Sequence, residues 1–187
     1  MKEIQRLSRF LITLFNILLI TIPLINIASW TLVQFPIFRT LFSQVFITSI
    51  KTPEGMVTIP EMTLTPLIQL LGICGSLVEA IPLLLGLMIL KVLFKNYQQG
   101  DIFSYDNAKS YQQLGWLFFL QGFIAKPISE LLLVLAATYG NAPGHRYLSL
   151  GFGTPNFEVL FCGTLIIVIS WVMREATKLQ HEQRLTI

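Results

Sequence analysis

Charge is what this sequence has least of. Asp, Glu, Lys and Arg make up 12% of its 187 residues, against about 25% in an average soluble domain. So few charges cannot wet a surface on all sides, which excludes an ordinary soluble globule. Histidine and cysteine are also scarce, with two of each. His145 and His181 fall in segments expected on opposite sides of a membrane, so no histidine-based metal cluster can form. His181-Glu182 lacks the second histidine of a zinc-protease helix, and neither a Gly-x-Ser-x-Gly elbow nor a phosphate-binding loop occurs. Cys74 and Cys162 lack Cys-x-x-Cys spacing, lie within apolar runs and read as small core residues. These absences point to a non-enzymatic protein with no metal and no cofactor.

What is present in quantity is apolar sequence. Hydrophobic residues make up 53% of the chain, gathered into runs at Phe10–Phe35, Leu64–Phe94, Leu114–Tyr139 and Phe157–Met173. Each meets or nearly meets the roughly 20 residues that cross about 30 Å of hydrocarbon as a helix. The first run exceeds a signal-peptide core and has no small-x-small cleavage site after it, so it reads as a retained span. Lysine and arginine set the orientation. With both termini cytoplasmic, the inner segments hold Lys2, Arg6, Arg9, Lys91, Lys95, Lys109, Arg174, Lys178 and Arg184, and the outer loops only Arg39, Lys51 and Arg146. The net charge of +3 reflects this bias toward anionic lipid and is no argument for nucleic acid.

The expected fold is therefore an all-α membrane protein, a four-transmembrane-helix bundle with both termini cytoplasmic. It is read as one integral domain over residues 1–187, with outer loops at 36–63 and 140–156. The first loop contains "QVFITSIKTPEGMVTIPEMTLT", where β-branched and apolar residues flank Pro53-Glu54-Gly55. That is the pattern of two strands and a short turn. With a third strand-like run, "RYLSLGF" at 146–152, it predicts a small extracytoplasmic β-cap. On the inner side Gly100 falls where a helix would end, Ser104 is placed as an N-cap, and Asp106 sits in the next first turn. The second and third spans thus form a helical hairpin whose ends protrude into the cytoplasm. The fourth helix is expected to continue beyond Met173 as "REATKLQHEQRLTI".

Polar residues at membrane depth need separate explanations. Asn16 and Asn26 read as interhelical hydrogen-bond glue. Gly72 and Gly75 read as close-packing positions. Glu79, Lys126 and Glu130 form a candidate intramembrane charge cluster, and each charge costs about 2.5–3.5 kcal/mol at mid-membrane on insertion scales. Pro82 and Pro127 mark candidate helix kinks, since neither can bond back to the preceding turn. Two readings of the cluster stand: a structural pair between Lys126 and Glu79, or a polar cavity for an ion, proton or small ligand.

Three stretches, "NYQQGDIFSYDNAKSYQQLG" (96–115), "YLSLGFG" (147–153) and "REATKLQHEQRLTI" (174–187), resemble bacterial membrane proteins of the domain of unknown function 2975 family. Those carry a Tyr-x-x-Gly-x-Ile-Phe-like motif before the third span and a Leu-x-x-Glu-x-x-Leu-Thr-Ile-like end. The matching positions are Tyr97, Gly100, Ile102, Phe103, Asn107 and Gly115, then Leu179, Glu182, Leu185, Thr186 and Ile187. The resemblance implies no activity. Such proteins are often encoded beside a helix-turn-helix regulator of the Cro/CI type, which implies by analogy a membrane partner of a cytoplasmic regulator. The leading expectation is a sensor or regulatory partner in a bacterial cytoplasmic membrane, with lipid and a protein as its partners. Its C-terminal end is a docking candidate. The alternatives are a small transporter or channel subunit using the polar centre, and an accessory subunit of a larger membrane complex.

Overall fold

Hydrocarbon offers no partner to a backbone N–H or C=O, so an apolar run that crosses it must close its hydrogen bonds within itself. The computed structural model describes residues 2–38, 40, 49–59, 62–142, 145–149 and 154–185. Its elements are α1 (Lys2–Thr31), β1 (Ser49–Thr52), β2 (Gly55–Thr58), α2 (Pro66–Gln98), α3 (Tyr105–Leu120), a π-helical turn (Gln121–Ala125), α4 (Lys126–Thr138) and α5 (Thr154–Leu185). Four stretches are long and apolar enough to cross a membrane: Glu3–Thr31, Pro66–Gln98, Tyr105–Thr138 and Asn156–Gln180. The third runs unbroken through the π turn. The chain is a four-span, mainly helical membrane protein.

The helices outrun the apolar runs. At 33 residues α2 is about 50 Å long, well beyond the roughly 30 Å of hydrocarbon. The third span starts at Tyr105, directly after its cap Ser104, and α5 continues past Met173 to Leu185. At its C-terminal end α1 stops short of its run. It ends at Thr31 instead of Phe35, and residues 32–35 form a turn closed by Phe35 N–H donating to the Leu32 carbonyl at 3.0 Å.

Contacts divide the chain into two compact units. The first holds the described parts of Met1–Ile20, Pro82–Phe123 and Thr154–Ile187. Here α3 crosses α5 at a pair of glycines. A Cβ on Gly115 would meet Ile167 and the Gly163 carbonyl, and one on Gly163 would meet Phe118 and the Gly115 carbonyl. One helix repeat further, Gly122 lies against Leu160 and the Asn156 carbonyl in the same way. Small residues at such a crossing let backbones approach where water provides no driving force.

The second unit holds the described parts of Thr21–Ile81 and Ile124–Gly153. Its core gathers Trp30, Val33, Ile50, Ile59, Ile68, Leu133, Val134 and Ala136. Trp30 is fully buried, its indole N–H donates to Ser76 Oγ at 2.9 Å, and its ring occupies the space a Cβ on Gly72 would need. Gly75 plays the matching part against Leu132 and Leu133 of α4. Both glycines are close-packing positions, as expected.

The hairpin follows its turn residues. β1 and β2 pair antiparallel with Ser49 opposite Thr58 and Thr52 opposite Gly55. Proline fixes a negative φ at position 53, which rules out the primed turns that need positive φ there. Gly55, at φ 139°, adopts a backbone that side chains avoid.

Four details differ from expectation. Residues 145–149 form no strand, and the rest of "RYLSLGF" lies outside the described residues, so the described sheet has two strands. Asn26 donates to the Ile22 carbonyl of its own helix at 2.9 Å, which satisfies it without an interhelical bond. Cys74 and Cys162 are free and exposed. In lipid the outer face of a span is as apolar as its core, so an apolar run does not reveal which way a small residue faces. Finally, the third span holds a π turn just before Pro127, whose ring nitrogen has no hydrogen to give. A π turn is one of the local adjustments by which a membrane helix absorbs a proline.

Candidate functional site

Three places bring polar residues together. The first is the α2–α3 turn. Gly100, at φ 84°, ends α2 in a left-handed cap. Asp101 N–H reaches back to the Asn96 carbonyl at 3.1 Å and Gly100 N–H to that of Tyr97 at 3.1 Å, the paired bonds of a Schellman motif. Ser104 caps α3, accepting from Asn107 N–H at 3.3 Å. Asn107, fully buried, binds the rest of the turn. Its Nδ2 donates to the carbonyls of Asp101 at 2.7 Å and Ile102 at 3.0 Å, and its Oδ1 accepts from Asn96 Nδ2 at 2.7 Å. Tyr97 and Tyr111 hydroxyls bond at 2.8 Å beneath it.

This network leaves Phe103 49% and Tyr105 51% exposed on a turn whose backbone it braces. Beside them lies a cleft of about 330 Å³ lined by Gly100–Tyr105 together with Thr177 and Gln180 of α5. Family-motif positions thus meet the helix that carries the tail. Gly115 belongs to a different job, the crossing with Gly163. In the tail Leu179 and Glu182 are exposed, and Thr186 and Ile187 lie outside the described residues.

The second place is at membrane depth, within the second unit. Gly72, Gly75 and Glu79 stand three and four residues apart and share one face of α2. The glycines are buried by neighbours, yet Glu79 on the same face is exposed. Its Oε2 accepts from the buried Ser129 hydroxyl at 3.3 Å. Lys126 and Glu130 flank Ser129 on α4 and are half-buried. Among the described residues Lys126 forms no ion pair with Glu79 or Glu130. Ser129, beside Glu130 and three residues after Lys126 in the chain, takes the contact with Glu79 that the sequence assigned to the lysine. Pro82 lies inside continuous α2, and Pro127 in the first turn of α4.

The third place is the hairpin end of the second unit, which sequence reasoning passed over. Glu54, in the turn, accepts at Oε1 from Tyr147 OH at 2.8 Å and lies 2.8 Å from His145 Nδ1. The contact with His145, then the one with Tyr147, holds the carboxyl below its ordinary pKa, while the carboxylate raises that of the Tyr147 hydroxyl. Tyr147 N–H is fixed separately by Thr138 Oγ1 at 3.1 Å. Arg146 stands over the Tyr139 ring, 4.9 Å from its centroid. A cleft of about 530 Å³ opens between the hairpin, residues 62–68 and the end of α4. Only an acidic residue at the tip of the hairpin hinted at this, and nothing local links Glu54 to residues 91 and 93 positions later.

A family model described as "Protein of unknown function (DUF2975)" matches residues 2–187. No curated protein and no solved structure matches the chain.

Proposed function

This chain belongs to the DUF2975 family, whose description assigns no activity, and we propose from its own geometry a non-enzymatic regulatory partner of a cytoplasmic protein. The reading rests on one observation above others. The buried Asn107 amide, braced by half-buried Asn96, is spent on the backbone of a turn that displays two aromatic side chains beside the α5 surface. A connection of this length needs no such network to join two helices, but a docking face needs a fixed shape, because ordering it on contact would weaken binding. Lysine and arginine asymmetry favours the cytoplasm for this turn and for both termini, in the inner membrane of a bacterium. A helix-turn-helix regulator of the Cro/CI type fits the analogy with relatives' gene neighbours.

The test is capture in mild detergent from cells of the source bacterium, followed by direct binding of the recovered protein to nanodiscs holding the full chain. Phe103→Ala with Tyr105→Ala should reduce affinity about tenfold or more, as loss of aromatic anchors does. Asn107→Ala should weaken binding through loss of shape. Glu54→Gln at the hairpin end should leave it unchanged. Equal binding by the aromatic double variant would overturn the reading.

A second reading, transport of an ion or small solute, is favoured by the exposure of Glu79 on a helix face that is otherwise packed. It requires water at that depth. A cysteine placed at Glu79 should then react with a small water-soluble thiol reagent, and failure to react would count against it.

A further inference from the structure

We propose that the hairpin-end cleft is a binding site for a small organic cation with an apolar body, its ammonium group held by Glu54. The cleft's roughly 530 Å³ falls in the size range of small-molecule sites, about 300–1,000 Å³. Its floor is apolar and rigid: Ile68 is 2% exposed and Ala136 fully buried. Met56 and Met62 form adaptable walls, since an unbranched thioether fits many shapes. Asn141 offers a neutral polar edge. Thr52, Thr63 and Thr138 also line the cleft, so polar and apolar surface contribute about equally and the ligand needs both kinds of contact.

Charge decides the ligand class. Glu54 is the one charged residue among the described residues lining the cleft. The described cations nearby are engaged or directed elsewhere. Lys51 is exposed between the buried Ile50 and Thr52, so it lies on the opposite face of β1 from Thr52, which lines the cleft. Arg146 is held over Tyr139, and His145 is bound to Glu54 Oε1. Both described bonds to Glu54 end on Oε1, so Oε2 keeps its capacity to accept. Those bonds stabilise the ionised carboxylate, which makes a stronger bond to an N–H⁺ donor than to a neutral one. An anion would be repelled, and a purely hydrophilic cation would leave the floor uncovered. This site shares no residue with the proposed docking face, so either can fail alone.

The experiment uses the full chain in nanodiscs of zwitterionic lipid at about pH 8, where an alkylamine carries its proton. Calorimetry compares 4-phenylbutylamine with 4-phenylbutan-1-ol and 4-phenylbutanoate, each corrected against empty nanodiscs. The amine should bind saturably, one per chain, at least about tenfold tighter than the alcohol, and the carboxylate should not saturate. Glu54→Gln should weaken the amine about tenfold or more and leave the alcohol unchanged. Met56→Trp, which fills the cleft and keeps Glu54, should abolish binding and settles the matter if Glu54→Gln does not fold. Equal binding of amine and alcohol, undiminished amine binding by folded Glu54→Gln, or undiminished binding by Met56→Trp would each overturn the proposal.

Discussion

At the scale of the residue, Glu54 and Lys126 show how context decides what a charge does. Glu54 holds two partners at the hairpin end, and its lowered pKa makes their contact pH-dependent. A depressed carboxyl contributes stability above its unfolded value, about 4.3, and loses it as pH falls through the folded value. Tyr147 is raised, so its share is present below about 10 and is lost as pH rises through its folded value. Hydrogen exchange of the hairpin amides should therefore show protection that is flat near neutrality and collapses below about pH 4. Glu54→Gln should show no such acid step, and an acid step persisting in that variant would refute the assignment. Lys126 is the opposite case. With no carboxylate among the described residues paired to it, its loss should not depend on Glu79. The destabilisation from Lys126→Met and Glu79→Leu in detergent should add within about 0.5 kcal/mol in the double variant. Recovery in the double variant would instead establish the direct pair that the sequence suggested.

At the scale of the element, legibility tracked how local the physics is. The cap at Gly100, the N-cap Ser104 and the turn at Pro53–Gly55 were all readable, because each depends on residues within five positions. Trp30 on Ser76 was not, since the partners are 46 residues apart. The π turn was invisible for another reason. Membrane helices are apolar toward both lipid and core, so their hydrophobic pattern carries little phase from which an extra residue could be counted. Glycines in helices are similarly mute until their neighbours are known. Gly115→Ala should destabilise the protein by about 1–3 kcal/mol, because the new Cβ meets Ile167 and the Gly163 backbone. Gly86→Ala meets only Leu114 at 3.7 Å and Leu117 at 3.9 Å. It should be neutral or stabilising by up to about 1 kcal/mol, since alanine is the better helix former. Thermal unfolding of the two variants in one detergent tests both, and the reverse order would refute the crossing.

At the scale of the whole molecule, the four spans were legible from composition alone, while the clustered side chains were not. A span is a property of one run, but the hairpin-end site joins Glu54 to residues two spans later in the chain. Orientation is the remaining global property. Membrane-impermeant thiol labelling of intact cells, in a background lacking Cys74 and Cys162, should modify a cysteine at Thr52 or Ser149 and spare one at Asn107. Labelling at position 107 from outside would reverse the topology. The π turn in the third span, finally, has a consequence for heredity. It is one residue more than an α-helix would use, so loss of a single codon within 121–125 would let the helix close regularly. The π turn spends five residues on roughly the angle that four take in an α-helix, so the later side chains would stay nearly in phase and Ser129 would keep its bond to Glu79. Loss of a residue from the regular helix beyond it has no such slack, and would turn every later side chain by about 100°. Among natural variants of this gene, single-residue deletions in the third span should therefore fall within 121–125 and not within 126–138.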